Sequence, residues 1–332
     1  VLFFALTFII FKIQIGFKNI SEELSIVFDI FKNIFLFGKI IRLISKRAGL
    51  TAKIISNPAR TLIISFFMVI IIGSFLLMLP AASAKDSPLN FLTALFTSAS
   101  AVCVTGLSVI DVSSELTIAG KFILIVLIQV GGLGIMVFSF FGMLAFRKKM
   151  TVSEKLTISY MVSEDDMSNL FKTLRVIVLS TFFIEALSAV FLFIGFSRIL
   201  GFNLKTLGFA LFHAISAFCN AGFDLMGNFS SLTKYYDNLI VNFAIIMLIV
   251  LGGIGFSVIL DIKHKKNFKK FALHTKIVII STLILIVLPT ILFFVIEFDN
   301  VNTIGNMNIW QKFLLSLFQI VSPRTAGFNT ID

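Results

Sequence analysis

Long charge-free apolar runs alternate with shorter ones along this chain, in an order that recurs. Thr61 to Pro80 carries no charge and has the length of about 20 residues that crosses the hydrocarbon core of a bilayer. Ser87-Pro88 then offers an N-cap followed by proline at the first helical position, which predicts a helix over Leu89 to Val102. Such a helix rises only about 21 Å, too little to cross. The chain leaves it through Cys103-Val104-Thr105-Gly106-Leu107, meets Asp111 and Glu115, and enters a second apolar run from about Ile118 to Phe146 that ends on Arg147-Lys148-Lys149. The order then repeats: a crossing at Val176 to Leu200, a short helix at Asn203 to Phe218, a loop at Cys219 to Phe223, and an outgoing crossing at Asn238 to Ile262. A third unit starts with Ile277 to Ile296, interrupted by Pro289, and continues through a short helix at about Asn308 to Val321 into a loop reaching Phe328.

The loops themselves are copies. Ser98 to Gly106 and Ala214 to Gly222 share Ser100 with Ser216, Ala101 with Ala217, Cys103 with Cys219 and the closing glycine. Gln319 to Gly327 is more distant, yet Ala326-Gly327-Phe328 repeats Ala221-Gly222-Phe223. The outgoing runs repeat as well: Gly131, Gly132 and Gly134 match Gly252, Gly253 and Gly255. Clustered glycine costs about 1 kcal/mol per residue inside a helix, so these positions are read either as close helix packing or as hinges. Leu24 to Ile44 is apolar on one face but holds Asp29, Lys32, Lys39 and Arg42, the pattern of an amphipathic helix at the membrane interface; a poor spanning segment is the other reading. The resulting organisation is an N-terminal segment at 1–56, a first repeat at 57–149, a cytoplasmic loop with the second repeat at 150–265, and the start of a third repeat at 266–332.

Composition fixes the class. With 58% hydrophobic residues, 14% charged residues and 41 phenylalanines, 332 residues hold more apolar surface than a soluble domain can bury, so the chain is an all-α polytopic membrane protein. The net charge of +11 does not point to nucleic acid, because 18 of the 28 Lys and Arg lie in three clusters, Lys39 to Arg60, Arg147 to Arg175 and Lys263 to Lys276. Basic loops mark the cytoplasmic side, so each unit begins on that side and the chain belongs in the cytoplasmic membrane. Both cysteines sit in the repeated loops, where equivalence explains them more simply than a disulfide. His213, His264 and His274 lack metal-ligand spacing. Val1 to Phe11 is not read as a signal peptide, and the missing initiator Met suggests that the chain begins inside a longer protein.

Irregular backbone at membrane depth is tolerated only inside protein or along water. Three such loops in one chain therefore point to a shared polar axis. Glycine admits φ > 0 and lets successive carbonyls aim in one direction, and rings of carbonyl oxygen can replace the hydration shell of a monovalent cation. The short helices would direct their partially negative C-termini to the same place.

These segments resemble a known family. Thr105-Gly106-Leu107, Phe218 to Phe223, Ser322 to Phe328 and the outgoing phrase Ile128 to Met136 look like the corresponding segments of bacterial Trk/Ktr-type potassium transporters, from about Asn57 to Asp332. The resemblance implies four helix–pore-loop–helix repeats around a pseudo-fourfold pore, about two and a half of them present here. It also implies a homodimer and a cytoplasmic nucleotide-binding ring that gates the pore. It places the transported K⁺ against backbone carbonyls of Cys103, Val104, Thr105 and Gly106, of Cys219, Asn220, Ala221 and Gly222, and of Arg324, Thr325, Ala326 and Gly327, with no cofactor bound by the chain. Glycine at all three filter positions goes with potassium in this superfamily, serine in one unit with sodium. The missing quadrant is read as a fragment or as a place closed by another chain.

Some residues are weighed singly. Glu185 lies deep in the Val176 to Leu200 crossing and is read as a hydrogen-bonded brace ahead of a cation or proton site. Arg324 is expected to point away from the path and pair with backbone or a carboxylate. Asp111 and Asp224 could draw cations to the mouth or be solvated loop charges, and His213 is expected to be packed. The basic stretch Lys263 to Lys276 is topogenic, with docking of the ring as the alternative. An intramembrane enzyme using Ser100 or Ser216 would need a His–Asp arrangement that the sequence lacks.

Overall fold

A computed structural model describes residues 58–84, 87–134, 170–265 and 267–331. The interfacial helix expected at Leu24 to Ile44, the continuation of the first outgoing run beyond Gly134 and the basic residues Arg147-Lys148-Lys149 lie outside the described residues. Among the described residues the regular elements are helices. In chain order they are α1 (Pro58–Leu77), α2 (Phe91–Val102), the single turn α3 (Val112–Glu115), α4 (Ile118–Leu133), α5 (Leu170–Leu200), α6 (Leu204–Phe218), α7 (Leu239–Gly253), α8 (Phe256–Lys265), α9 (Leu273–Ile296) and α10 (Ile309–Thr325).

The short helices α2, α6 and α10 all begin on an asparagine. Asn90 Oδ1 accepts from Thr93 N–H at 2.8 Å, Asn203 Oδ1 from Thr206 N–H at 2.8 Å, and Asn308 Oδ1 from Gln311 N–H at 3.0 Å. Gln311 Oε1 in turn accepts from Asn308 N–H at 3.2 Å, closing a capping box. Helix α2 thus starts later than the Ser87-Pro88 signal predicts. Leu89 and Ala94 flank Asn90 at the positions of a hydrophobic staple and share one core, while the Ser87 carbonyl accepts from Ser83 Oγ at 3.0 Å. With 12 residues α2 rises about 18 Å, against about 46 Å for the 31 residues of α5.

Two expected crossings have a different shape. Asn238 to Ile262 is not one rod: α7 and α8 are bent by 94° at Ile254-Gly255, where Gly255 takes φ +86°. Conversely, Pro289 does not interrupt α9, which runs through it for 24 residues. Proline leaves the Leu285 carbonyl without its helical donor, a single lost rung in a helix otherwise fully bonded, and Thr290 Oγ1 next to it donates to Ile286 O at 2.6 Å. Helix α1 stops at Leu77, and Pro80 opens a 3₁₀ turn, Pro80–Ala82, instead of ending the helix.

Helix α2 packs between α1 and α4 and helix α6 between α5 and α7, while α10 packs on α9. The outgoing helices also reach the next unit, α4 touching α6 and α7 touching α10. Helices α5 and α9 are each long and apolar enough to cross a membrane, and the bent pair α7–α8 passes together. Small residues allow close seams. A side chain at Gly73 would run into Ser98 Oγ, whose hydroxyl donates to Ile70 O at 2.8 Å, and Asn238 Nδ2 donates to Gly195 O at 3.0 Å across the α5–α7 seam.

The first two units are also tied outside the bundle. Asp111 caps α3 by accepting from Ser113 N–H at 2.9 Å, and its other oxygen accepts from Asn228 N–H at 2.7 Å in the stretch after the second loop. Burial pulls this carboxyl up, and the donors from Asn228 and Ser113 outweigh it, leaving the group below its ordinary 3.8. A carboxylate depressed on folding stabilises fully above its unfolded value and loses that contribution as pH falls through the folded value. Asp111→Ala should therefore lower the melting temperature of the detergent-purified protein near pH 7, and the difference from the parent should shrink as pH falls below the ordinary carboxylate range.

Candidate functional site

The three loops leave their short helices by related routes. After α2, Cys103 N–H donates to Ala99 O at 2.8 Å, Val104 N–H to Ala101 O at 3.3 Å and Thr105 N–H to Ser100 O at 2.9 Å. After α6 the same three bonds recur, Cys219 to Ile215 at 2.9 Å, Asn220 to Ala217 at 3.1 Å and Ala221 to Ser216 at 2.7 Å. Val104 and Asn220 both adopt φ near +58° (+57° and +58°), and Gly106 and Gly222 follow at +75° and +69°. Left-handed backbone is unusual for a β-branched residue such as Val104, and its recurrence at the equivalent Asn220 shows that the loop geometry imposes it.

The third copy is one residue shorter. Four residues separate Ser322 from Gly327, where five separate Ser216 from Gly222. The extra left-handed residue is absent, α10 continues through Pro323 to Thr325, and both Ala326 N–H and Gly327 N–H reach Ser322 O, at 2.9 and 3.0 Å. Arg324 and Thr325, assigned by the sequence to the third extended stretch, therefore sit in the last turn of a helix. Pro323 fits helical φ but leaves Gln319 O without its helical donor.

Two serines hold the loops from behind, and alignment of the repeats by sequence misses the second. Ser216 Oγ donates to Phe223 O at 2.7 Å and Ser322 Oγ to Phe328 O at 2.5 Å, both buried. Each fixes the carbonyl just after the glycine. The one-residue offset of Ser322 hides the equivalence. In the first loop Ser100 Oγ accepts from Thr105 Oγ1 at 2.9 Å instead.

The loops converge. A Cβ added to Gly106 would lie 2.5 Å from Ala221 O and 3.4 Å from Ala326 O; one added to Gly222 would collide with Ala326 O and lie 3.7 Å from Gly106 Cα. A Cβ at Gly327 would meet nothing within 4 Å. Main-chain oxygen from two units thus abuts glycine of another, and only glycine leaves room for it.

The outgoing glycines divide their tasks identically in both repeats. The first of each pair receives the last carbonyl of its own short helix, Gly131 facing Val102 O and Gly252 facing Phe218 O, with no room for a Cβ in either case. The second faces the next unit's loop. A Cβ at Gly132 would lie 2.5 Å from Cys219 Sγ, and one at Gly253 would lie 3.6 Å from an Arg324 guanidinium nitrogen and 3.8 Å from Thr325 Oγ1. The third, Gly134 or Gly255, takes φ +79° or +86° where its helix ends. Close packing and backbone redirection are both present, at different glycines of one motif. Cys103 is exposed and Cys219 buried, and both thiols are free.

Glu185 is buried, and its Oε1 accepts from Gln129 Nε2 at 3.0 Å. The bond links α5 to α4, hence the second unit to the first, instead of touching a short helix. His213 is fully buried, with Nδ1 bonded to Phe209 O at 2.8 Å and Nε2 accepting from Leu225 N–H at 3.4 Å; both nitrogens are used in packing. Arg324 lies beside Gly253, where a Cβ would stand 3.6 Å from a guanidinium nitrogen. Asp224 accepts from Met226 N–H at 2.9 Å, a local turn.

A family model for TrkH, a cation transport protein, matches residues 27–332. The Ktr system potassium uptake protein B of Bacillus subtilis is 39% identical over 276 residues, 83% of this chain and 61% of its own length. The protein of the same name in Vibrio alginolyticus is 36% identical over 275 residues, 82% of this chain and 59% of its own. The potassium/sodium uptake protein NtpJ of Enterococcus hirae is 34% identical over 276 residues, 83% and 60% respectively. This chain belongs to the TrkH cation transport family and is a multi-pass cell-membrane protein. It spans about three fifths of the length of these curated relatives.

The glycine contacts make a paired prediction. Gly252→Ala places a methyl against the Phe218 carbonyl and should destabilise the protein by about 1–3 kcal/mol, the range for overpacking. Gly208→Ala, in mid α6 with nothing within 4 Å, should instead stabilise by up to about 1 kcal/mol. Unfolding in mixed detergent micelles measures both.

Proposed function

We propose that this chain lines the ion path of a potassium uptake system in the cytoplasmic membrane. The supporting observation is the contact of Gly106 and Gly222 with carbonyl oxygens of the other loops, at the ends of helices too short to cross. In this reading Cys103 to Gly106, Cys219 to Gly222 and Ala326-Gly327 form a selectivity filter, and Arg324-Thr325 contribute from the helix end. Carbonyl oxygens replace the water of a dehydrated K⁺, and the C-termini of α2, α6 and α10 add negative potential. The architecture is a set of tandem helix–pore-loop–helix repeats about a pseudo-fourfold axis, with the units at 57–149, 150–265 and 266–332. Gly134 and Gly255 serve as the hinge points of the outgoing helices.

The names of the relatives support the substrate and the assembly. Two are called potassium uptake protein B of a Ktr system, which fits a membrane subunit working with partners. We assign a homodimer and a cytoplasmic nucleotide-binding ring as those partners. The relative named for potassium and sodium supports a second reading, in which Na⁺ also passes. Glycine in all three loops favours K⁺ because a side chain at Gly222 would crowd the Ala326 carbonyl. Glu185 acts as a brace between units, since its bond to Gln129 spans them.

Expression of the full-length gene in a cell lacking K⁺ uptake should restore growth at low K⁺. Gly222→Ser should lower K⁺ uptake and raise Na⁺ permeation relative to it in tracer flux measurements; an unchanged ratio would count against the filter. Glu185→Gln keeps the hydrogen bond in neutral form and should retain K⁺ uptake, whereas loss of uptake with normal membrane expression would favour an ion site.

A further inference from the structure

One side chain in the second loop bonds to two other helices, α7 and α10. Asn220 has left-handed backbone, which asparagine tolerates better than most residues. Backbone preference does not account for its amide, because Val104 holds the same φ in the first loop without one. The hydrogen-bond network assigns the amide orientation: the nitrogen donates to Thr325 Oγ1 at 3.1 Å and to Ile249 O at 3.2 Å, and the oxygen accepts from Gly253 N–H at 3.2 Å. Ile249 O and Gly253 N–H are the two ends of one i→i+4 rung, at the C-terminus of α7. Two residues later Gly255 turns the chain by 94° into α8.

Helix α7 stays bonded through Gly253, so the amide adds bonds to its last turn just before the bend. The group that holds this turn belongs to a loop of the ion path, and it also holds Thr325 at the end of α10. Helix α8 leads to Lys263, Lys265, Lys269 and Lys270. We propose that Asn220 is a positioning residue that couples the bend between α7 and α8 to the spacing of the second and third loops. Straightening α8 onto α7 displaces the last turn of α7, which the amide holds, and through the amide it displaces Thr325. Movement of α8 is thereby felt at the ion path, and ion occupancy of the path biases the bend. This inference rests on the reading of these loops as the ion filter. The coupling has a physical carrier, one amide bonded both to the last turn of α7 and to Thr325.

The test uses the full-length protein in proteoliposomes with Asn220→Gly, which keeps the left-handed backbone and removes the amide, and Thr325→Val, which removes one hydroxyl. Two quantities are read, the K⁺ to Na⁺ permeability ratio and hydrogen exchange of residues 254–262 in K⁺ against choline. In the parent, K⁺ should slow exchange in that segment. Asn220→Gly should abolish this ion dependence and lower the permeability ratio by about fivefold, the factor of one lost net hydrogen bond; Thr325→Val should move both the same way, by less. Ion-dependent exchange and a parental ratio persisting in Asn220→Gly, alongside a changed ratio in Gly222→Ser, overturn the coupling and leave the filter reading standing. A ratio unmoved by Gly222→Ser as well removes the filter reading, and the coupling with it. Should Asn220→Gly fail to fold, Thr325→Val decides by the same two readouts.

Discussion

A carbonyl oxygen resting where a side chain would otherwise begin is the contact on which this structure depends. It occurs between Val102 and Gly131, between Phe218 and Gly252, between Ala221 and Gly106, and between Ala326 and Gly222. The first two seat α2 and α6 against their outgoing helices, and the other two bring the loops together. Every one of them fails with a methyl group in place of a hydrogen, so the glycines fix the distances as well as the conformation.

The bilayer makes these distances matter. Backbone groups that leave a helix in hydrocarbon have no water to bond, and the chain answers locally. The amides after α2 and α6 fold back on the last turn, the serines of α6 and α10 hold the carbonyls that follow, and an asparagine closes each short helix at its start. Where the loops meet, the Ala221 and Ala326 carbonyls lie against glycine of another loop. The exterior follows the same logic: α9 presents Leu283, Leu285, Leu288 and Val295 outward, as a lipid-facing helix must.

Charge at depth is handled by links between units. Glu185 meets Gln129 across α5 and α4, and Asp111 meets the Asn228 amide outside the bundle. Both bonds join the first unit to the second, so the seam between repeats is polar and directional where the packing is otherwise apolar. Asn220 extends the theme from the second unit to the third, with its partners on α7 and at the end of α10. The membrane class, the all-helical fold and the short helices that run into glycine-containing loops could be read from apolar run lengths and repeated residues. The start of α2 could not, because Ser87-Pro88 and Asn90 are both acceptable caps and only the burial of Leu89 beside Ala94 chooses between them.

Periodicity and repetition determine which segments are too short to cross, since helix rise is fixed and charge-free length is countable. They also fix glycine at the points of closest approach. Tertiary structure decided the rest. It bent Asn238 to Ile262 at Gly255, carried α9 through Pro289, extended α10 to Thr325, and gave the glycines of each outgoing motif separate duties. Local sequence is silent on the glycine duties because these depend on a partner far along the chain. The same glycine is a packing surface or a turn according to whether another unit's carbonyl lies against it.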